Sequence, residues 1–228
     1  MRAAKEKQMG KRVEFASNGH KSQGYIAGKG PAVVVIQEWW GLVAHIEGVV
    51  DRFANEGFLA IAPDLYHGQI AKSPDEAQRL KLELDAERAE HEIASAGEFL
   101  LKRPECTSTT YGLVGFCLGG GLAQFTGARE TNVSGTVSFY GGFKKATIDW
   151  NHLSGPILLI YGEDDKGVPA EQGREIEQKL KQLRKQVELK IYPGADHAFF
   201  NETARTYKKD AAEDAWTRTV EFFSRHIK

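Results

Sequence analysis

Only two of the 228 residues are cysteine, Cys106 and Cys117, so no disulfide framework holds this chain and its thiols suit a reducing compartment. Charge of one sign is equally scarce: 30 Lys and Arg stand against 31 Asp and Glu, a net charge of −1. Without a basic excess there is no field to recruit nucleic acid or an anionic membrane. Long apolar runs are missing too; the longest are about six residues, far short of the roughly 20 that span a bilayer. The opening stretch MRAAKEKQMGKRVEF begins basic but has no apolar core, which reads against a secretory signal. No internal repeat, low-complexity tract or Pro/Gly/Ser linker divides the chain. The expectation is a cytoplasmic protein forming one domain over residues 1–228. A monomer or weak homodimer is expected, with a small-molecule partner, no nucleic-acid or membrane partner, no cofactor and no metal.

What is present is ordinary globular composition, 41% hydrophobic and 27% charged, arranged as short apolar runs alternating with longer amphipathic ones. AVVVIQ (32–37), FLAIAPD (58–64), YGLVGF (111–116), GTVSFYG (135–141) and PILLIYG (156–162) read as strands of a parallel sheet covered on both faces. VELKIYPG (187–194) alternates more and belongs nearer an edge. KRVEFAS and KSQGYIA, around Asn18-Gly19, predict an N-terminal hairpin. Between the strands, AHIEGVVDRFANEG predicts a helix ending at Gly57. A pattern running from Ser73 to Arg103 predicts another, with Ser73 as N-cap, Pro74 in the first turn and Glu76 completing a capping box. PAEQGREIEQKLKQLRKQ and TYKKDAAEDAWTRTVEFFSRHI complete the set. The alternation makes an α/β protein with a mostly parallel sheet, whose ligands bind at the carboxyl ends of the strands.

At one such end, Gly115-Phe116-Cys117-Leu118-Gly119 has the spacing of a nucleophile elbow, G-x-S-x-G, with cysteine for serine. A sharp strand-to-helix turn strains the central residue, and flanking glycines remove the side chains that would collide with it. The Leu118 N–H then lies at a helix N-terminus, suited to an oxyanion or a thiolate. The alternative is a small buried cysteine. Cys106, in the polar loop ECTSTT, has no such setting. An elbow nucleophile needs a base and an acid, which follow it in the chain order acid, then histidine. Asp164 or Asp165 stands past PILLIYG, and Asp196 and His197 stand past VELKIYPG. Either aspartate of the first pair could instead cap the next helix. The chain has no C-x-x-C or H-x-x-x-H spacing to favour a metal. Glu38 follows the strand AVVVIQ and precedes Trp39-Trp40. Pattern alone favours a capping or surface glutamate; beside the elbow, burial would raise its pKa and make it an acceptor for a thiol proton.

QEWWGL, APDLY, GFCLGG, YGEDDKGVP and DHAFFN, in this order, resemble the motifs of the dienelactone hydrolase (carboxymethylenebutenolidase) family over roughly residues 11–227. The resemblance implies an α/β-hydrolase fold, a mostly parallel eight-stranded sheet flanked by helices with no large lid domain. It implies a Cys-His-Asp triad: Cys117 as nucleophile, His197 as base and Asp165 as acid, the register set by Gly162 and Val168. Glu38 matches a glutamate that hydrogen-bonds the resting thiol, and the N–H groups of Leu118 and Trp39 would form the oxyanion hole. Of two arginines that hold a substrate carboxylate in the family, one aligns loosely with Arg79. The other position holds Asn201, with Arg205 four residues on, and asparagine cannot give a carboxylate the bidentate ionic contact of arginine. Trp40, Tyr140, Phe199 and Phe200 are expected with Trp39 to wall an aromatic pocket, core packing being the alternative for at least two. The expected activity is hydrolysis of small esters or lactones through a thioester acyl-enzyme. The rival readings are a non-catalytic ligand-binding protein and a thiol redox sensor on the same fold.

Overall fold

Val33, Val34, Val35 and Ile36 expose no surface at all, which requires cover on both faces of the strand that carries them. That strand is β3 (Gly30–Ile36), near the middle of an eight-stranded sheet in a computed structural model that describes residues 9–142 and 146–228. The other strands are β1 (Lys11–Ser17), β2 (His20–Gly28), β4 (Leu59–Pro63), β5 (Cys106–Phe116), β6 (Val133–Phe139), β7 (Ile157–Gly162) and β8 (Val187–Tyr192). Their spatial order is β1-β2-β4-β3-β5-β6-β7-β8; β1 and β2 pair antiparallel, as do β2 and β4, and every other pairing is parallel. The N-terminal hairpin turns at Asn18 (φ 43°) and Gly19 (φ 81°), the two positive φ values of a tight two-residue connection. β8 lies at the edge, as its alternating pattern predicts.

Side chains alternate across the sheet and sort into opposite layers. Val33 and Val35, with Val114 and Phe116, pack against α1 (Ala44–Asn55) and α6 (Lys209–His226). Val34 and Ile36, with Tyr111 and Leu113, pack against α2 (Pro74–Glu83), α3 (Ala86–Leu101) and α4 (Leu118–Gly127). Leu159 and Tyr161 lie under α5 (Ala170–Gln182), on the face opposite Leu158 and Ile160. Fully burying one such aliphatic or aromatic side chain stabilises by about 1.5–3 kcal/mol. Helix α1 ends as expected, with Gly57 at φ 92° just beyond its C-cap. No helix among the described residues is long and apolar enough to cross a membrane.

Two local expectations are corrected. The pattern from Ser73 to Arg103 is two helices, because Leu84 turns extended (ψ 120°) and the Asp85 carboxylate accepts from the N–H groups of Glu87 and Arg88, capping a new start. Ser73 caps the first as predicted, its Oγ accepting from Glu76 N at 3.3 Å, while the Glu76 carboxylate reaches back one residue further, to Lys72 N. The polar stretch around Cys106 is not a loop but the start of β5, where Ser108 Oγ accepts from Ala32 N and ties it to β3.

Helix α3 also buries a carboxylate. Glu90 is 1% exposed, and its Oε1 has no hydrogen-bond partner. Burial, and then the neighbouring Glu130, push its pKa up to about 7 against the pull of His91 and Arg129. The folded state therefore holds this proton more tightly than the unfolded chain. The contribution to stability is complete below the ordinary carboxylate range and lost as pH rises through about 7. Glu90→Gln is expected to melt higher than wild type at pH 8, by a margin worth up to about 3 kcal/mol, and to lose that margin at pH 4.5. Thermal unfolding at the two pH values measures it; equal margins would contradict the burial of an ionisable group.

Candidate active site

The carboxyl ends of β3 through β8 share one edge of the sheet. Along it come Glu38 after β3, Cys117 after β5, Tyr140 after β6, Asp165 after β7 and His197 after β8. Cys117 sits at φ 54° and ψ −113°, a conformation that costs an L-residue energy and persists only when its surroundings impose it. They do so from both sides: Cys117 N donates to Phe139 O at 3.0 Å as β5 ends, and Cys117 O accepts from Gly121 N at 3.2 Å as α4 begins. The elbow glycines are contact sites. A Cβ on Gly115 would overlap the Gly119 carbonyl, and one on Gly119 would overlap the carbonyls of Ile36 and Gln37. Leu118 N–H is among the first N–H groups of α4, which have no intrahelical acceptor. Cys117 is half-buried, neither sealed in nor free.

His197 Nδ1 lies 2.6 Å from Asp165 Oδ2, and the other oxygen of Asp165 accepts from the N–H groups of Gly167 and Val168 at 2.8 Å each. Asp164 is exposed, so of the two aspartates only Asp165 meets the histidine. Burial opposes a charge on His197, but the hydrogen bond to Asp165 and the interaction with Cys117 prevail and push its pKa up to about 10.

Glu38 is buried, at 2% exposure, but its carboxylate does not take the thiol as partner. Oε2 accepts from Asn201 Nδ2 at 2.8 Å and Oε1 from the Tyr140 hydroxyl at 3.4 Å. Asn201 is itself oriented: its Oδ1 accepts from Thr203 N at 2.9 Å and Thr203 Oγ1 at 2.7 Å, leaving the amide nitrogen for Glu38. Burial raises the pKa of Glu38, while the charges of His45 and His197 and the hydrogen bonds from Asn201 and Tyr140 pull it down. The expected Glu38–thiol hydrogen bond is therefore replaced by a buried bracket. The Asn201 amide nitrogen is thereby directed to the glutamate.

Other expected substrate contacts shift as well. Arg79 is exposed on α2, with Nη1 on both carboxylate oxygens of Glu83 one turn away, at 3.0 and 2.8 Å. Arg205 is exposed beyond the bracket. Phe199 and Phe200 are core residues at 0% and 1% exposure: Phe199 backs the Tyr140 ring and Phe200 stacks on Phe116. Tyr140 is wholly buried too, its ring 5.0 Å from that of His197, so it supports the site from beneath. Trp39 and Trp40 are half-buried and meet edge to face with centroids 5.1 Å apart. Among the described residues, no group of three His, Cys, Asp or Glu side chains could hold a metal ion.

Sequence reasoning missed two neighbours. His45, on the apolar face of α1, is buried against Phe116 and Phe200, with Nδ1 3.1 Å from Glu202. Tyr66, on the loop after β4, buries its hydroxyl. A histidine in step with Ile46, Val49 and Phe53 on a helix was a legible signal; Tyr66 closes the APDLY motif of the family resemblance, which gave it no role.

Comparison with known proteins agrees with this fold. The model of the dienelactone hydrolase family matches residues 20–227. "Protein usf" of Aquifex pyrophilus is 39% identical over 96% of this chain and all of its own length. A protein of Aquifex aeolicus named "Putative carboxymethylenebutenolidase" is 36% identical over the same shares. The crystal structure of a "Putative Dienelactone Hydrolase" from Klebsiella pneumoniae superposes with a TM-score of 0.86 at 26% identity, over 96% of this chain and 99% of that one. The sheet order, the elbow after β5 and these likenesses lead to one conclusion: the chain belongs to the dienelactone hydrolase family of α/β-hydrolase-fold hydrolases.

Proposed function

We propose that this protein cleaves small esters or lactones with Cys117 as nucleophile, His197 as base and acid, and Asp165 as the group that orients and charges the histidine. The observation that carries the reading is a strained, half-buried cysteine at a helix start that interacts with a histidine held 2.6 Å from a buried carboxylate. An imidazolium at His197 is the counter-ion a thiolate needs, and its pKa of about 10 keeps that charge at neutral pH.

The sulfur adds to the substrate carbonyl, and the N–H groups of Leu118 and Trp39 hold the oxyanion. One such donor supplies on the order of 3 kcal/mol of transition-state stabilisation. The intermediate collapses to a thioester as His197 gives its proton to the departing alkoxide. Water, deprotonated by His197, then adds to the thioester; the acid leaves and the thiolate–imidazolium pair is restored. Glu38, when ionised, adds a second negative charge near the imidazolium. With Asn201 bound to Glu38 and Arg79 to Glu83, neutral substrates suit this site better than carboxylate-bearing ones.

The test is a trapping experiment. Protein quenched in acid during turnover of a slow ester is digested and weighed by mass spectrometry. One acyl group on the peptide containing Cys117 is expected; acyl label on a serine, or none under conditions of steady turnover, would overturn the reading.

A further inference from the structure

Two segments far apart in the chain meet at the Glu38–Asn201 hydrogen bond, and a second contact joins the same two. The first leaves β3 at Glu38 and turns directly into α1: Gly41 N donates to Glu38 O at 3.4 Å, Val43 N to Gly41 O at 2.9 Å and Glu47 N to Val43 O at 3.2 Å. His45 stands in the first turn of that helix. Its side chain is 2% exposed, and Nδ1 lies 3.1 Å from Oε2 of Glu202. The second segment leaves β8 with His197 and doubles back: Asn201 N donates to Ala198 O at 2.9 Å, and Ala204 N to Asn201 O at 3.0 Å. One short turn therefore carries His197, the Asn201 amide that bonds Glu38 and the Glu202 carboxylate that meets His45.

Filling space does not account for a histidine at this position. Among the described residues neither ring nitrogen makes a hydrogen bond, and Glu202 is the acidic group at ion-pair distance. Two buried polar nitrogens cost more than an apolar side chain would in the same place. The ring meets Phe116 and Phe200 edge to face, with centroids 6.3 and 6.2 Å away. Phe116 immediately precedes Cys117, and Phe200 immediately precedes Asn201. Two turns further along α1, Arg52 places its guanidinium over the Phe200 ring, 5.0 Å from its centroid. Helix α1 thus grips the turn after β8 at Glu202 and at Phe200, while its own start is tied to the backbone of Glu38.

We infer that His45 is a positioning residue: by holding Glu202 it fixes the turn that brings Asn201 to Glu38 and His197 to Asp165. It acts through that turn and touches neither substrate nor reacting atoms. The inference rests on the mechanism proposed above, in which His197 is the base. A catalytic group displaced by about 1 Å costs on the order of 100-fold in rate, so slackening one of several tethers is expected to cost about 10-fold. Stability should hardly notice, because Glu202 is 55% exposed and an ion pair open to water stabilises weakly.

Glu202→Ala, His45→Leu and the double variant test this with 4-nitrophenyl acetate as substrate. Each single change is expected to lower kcat about 10-fold with KM little changed, and the double variant to lose no more than either. The melting temperature of Glu202→Ala should stay close to that of wild type. The acid limb of its kcat profile should move to higher pH, because the Asn201 hydrogen bond is one of the influences that hold the pKa of Glu38 down and the slackened turn weakens it. A merely structural contact would not move that limb. Wild-type kcat with an unmoved acid limb in Glu202→Ala would overturn the inference. Losses that add in the double variant would do so as well, by showing that the two residues act separately, and a raised KM at unchanged kcat by assigning Glu202 to the substrate. Alkylation of wild-type Cys117 with iodoacetamide checks the underlying mechanism separately. Turnover that survives complete alkylation would remove that mechanism and the inference with it, whereas an alkylation-sensitive wild type beside unaffected variants would remove the role of His45 alone.

Discussion

Cys117→Ala is expected to leave a folded protein whose turnover of 4-nitrophenyl acetate is lower by on the order of 10,000-fold. The size of the loss follows from what survives. In the proposed mechanism, loss of the sulfur removes the covalent intermediate and leaves His197 and Asp165 with no nucleophile to serve, since members of such a unit fail together. The N–H groups of Leu118 and Trp39 remain as the proposed oxyanion donors, so a residual rate above that of water is expected. The fold should tolerate the change. Cys117 is half-buried, alanine has the same backbone preferences at φ 54°, and the Phe139 and Gly121 hydrogen bonds involve main-chain atoms. A second readout separates loss of chemistry from loss of structure. Cys117 helps hold the pKa of His197 up at about 10, so in Cys117→Ala the imidazole resonances should titrate at lower pH than in wild type, while Asp165 still keeps them above a free histidine. Retained turnover together with an unmoved His197 titration would remove the thiol from the mechanism.

Gly115→Ala should unfold or severely destabilise the protein, by about 3 kcal/mol or more. The new methyl would overlap the Gly119 carbonyl and crowd Gly120 N, all backbone atoms. Neither side can retreat: β5 is paired with β3 and β6 along its length, and every residue of α4 is buried. Relief would have to come from moving α4, and with it the Leu118 N–H and the Cys117 backbone. Any folded remainder should therefore be inactive as well. Gly48→Ala is the matched control. It lies in α1, where a Cβ meets nothing within 4 Å, and the change should stabilise by up to about 1 kcal/mol through lost freedom of the unfolded chain. Urea unfolding of the three proteins measures both effects. Wild-type stability and activity in Gly115→Ala would show that the elbow does not need the close approach of β5 and α4.

Short-range features were legible in the chain because short-range physics sets them. Asn18-Gly19 tolerates positive φ at both positions, so the hairpin turn could be read locally, as could the C-cap at Gly57 and the N-cap at Ser73. The continuous runs of β3 to β7 announced a doubly covered sheet, and the glycines around Cys117 announced a tight turn. Misreadings arose where two local signals competed or where a residue's partner lies far along the chain. A single helix seemed natural from Ser73 onward until Asp85 capped a second start. Arg79 stands exposed on α2, where its Nη1 meets the Glu83 carboxylate one turn on, a pairing the helix period sets and the family likeness does not show. Phe199 looked like a pocket wall and is core, because β6 delivers Tyr140 in front of it.

The amino-acid order alone determined the strand and helix alternation, the elbow and the candidate sulfur, imidazole and carboxylate, since periodicity and turn chemistry act over a few residues. Only the folded sheet decided which groups meet: Asp165 and not Asp164 at His197, and Asn201 and Tyr140 at Glu38. Those contacts join residues up to 163 positions apart, and the order of strands, which no local pattern encodes, brings them to one edge.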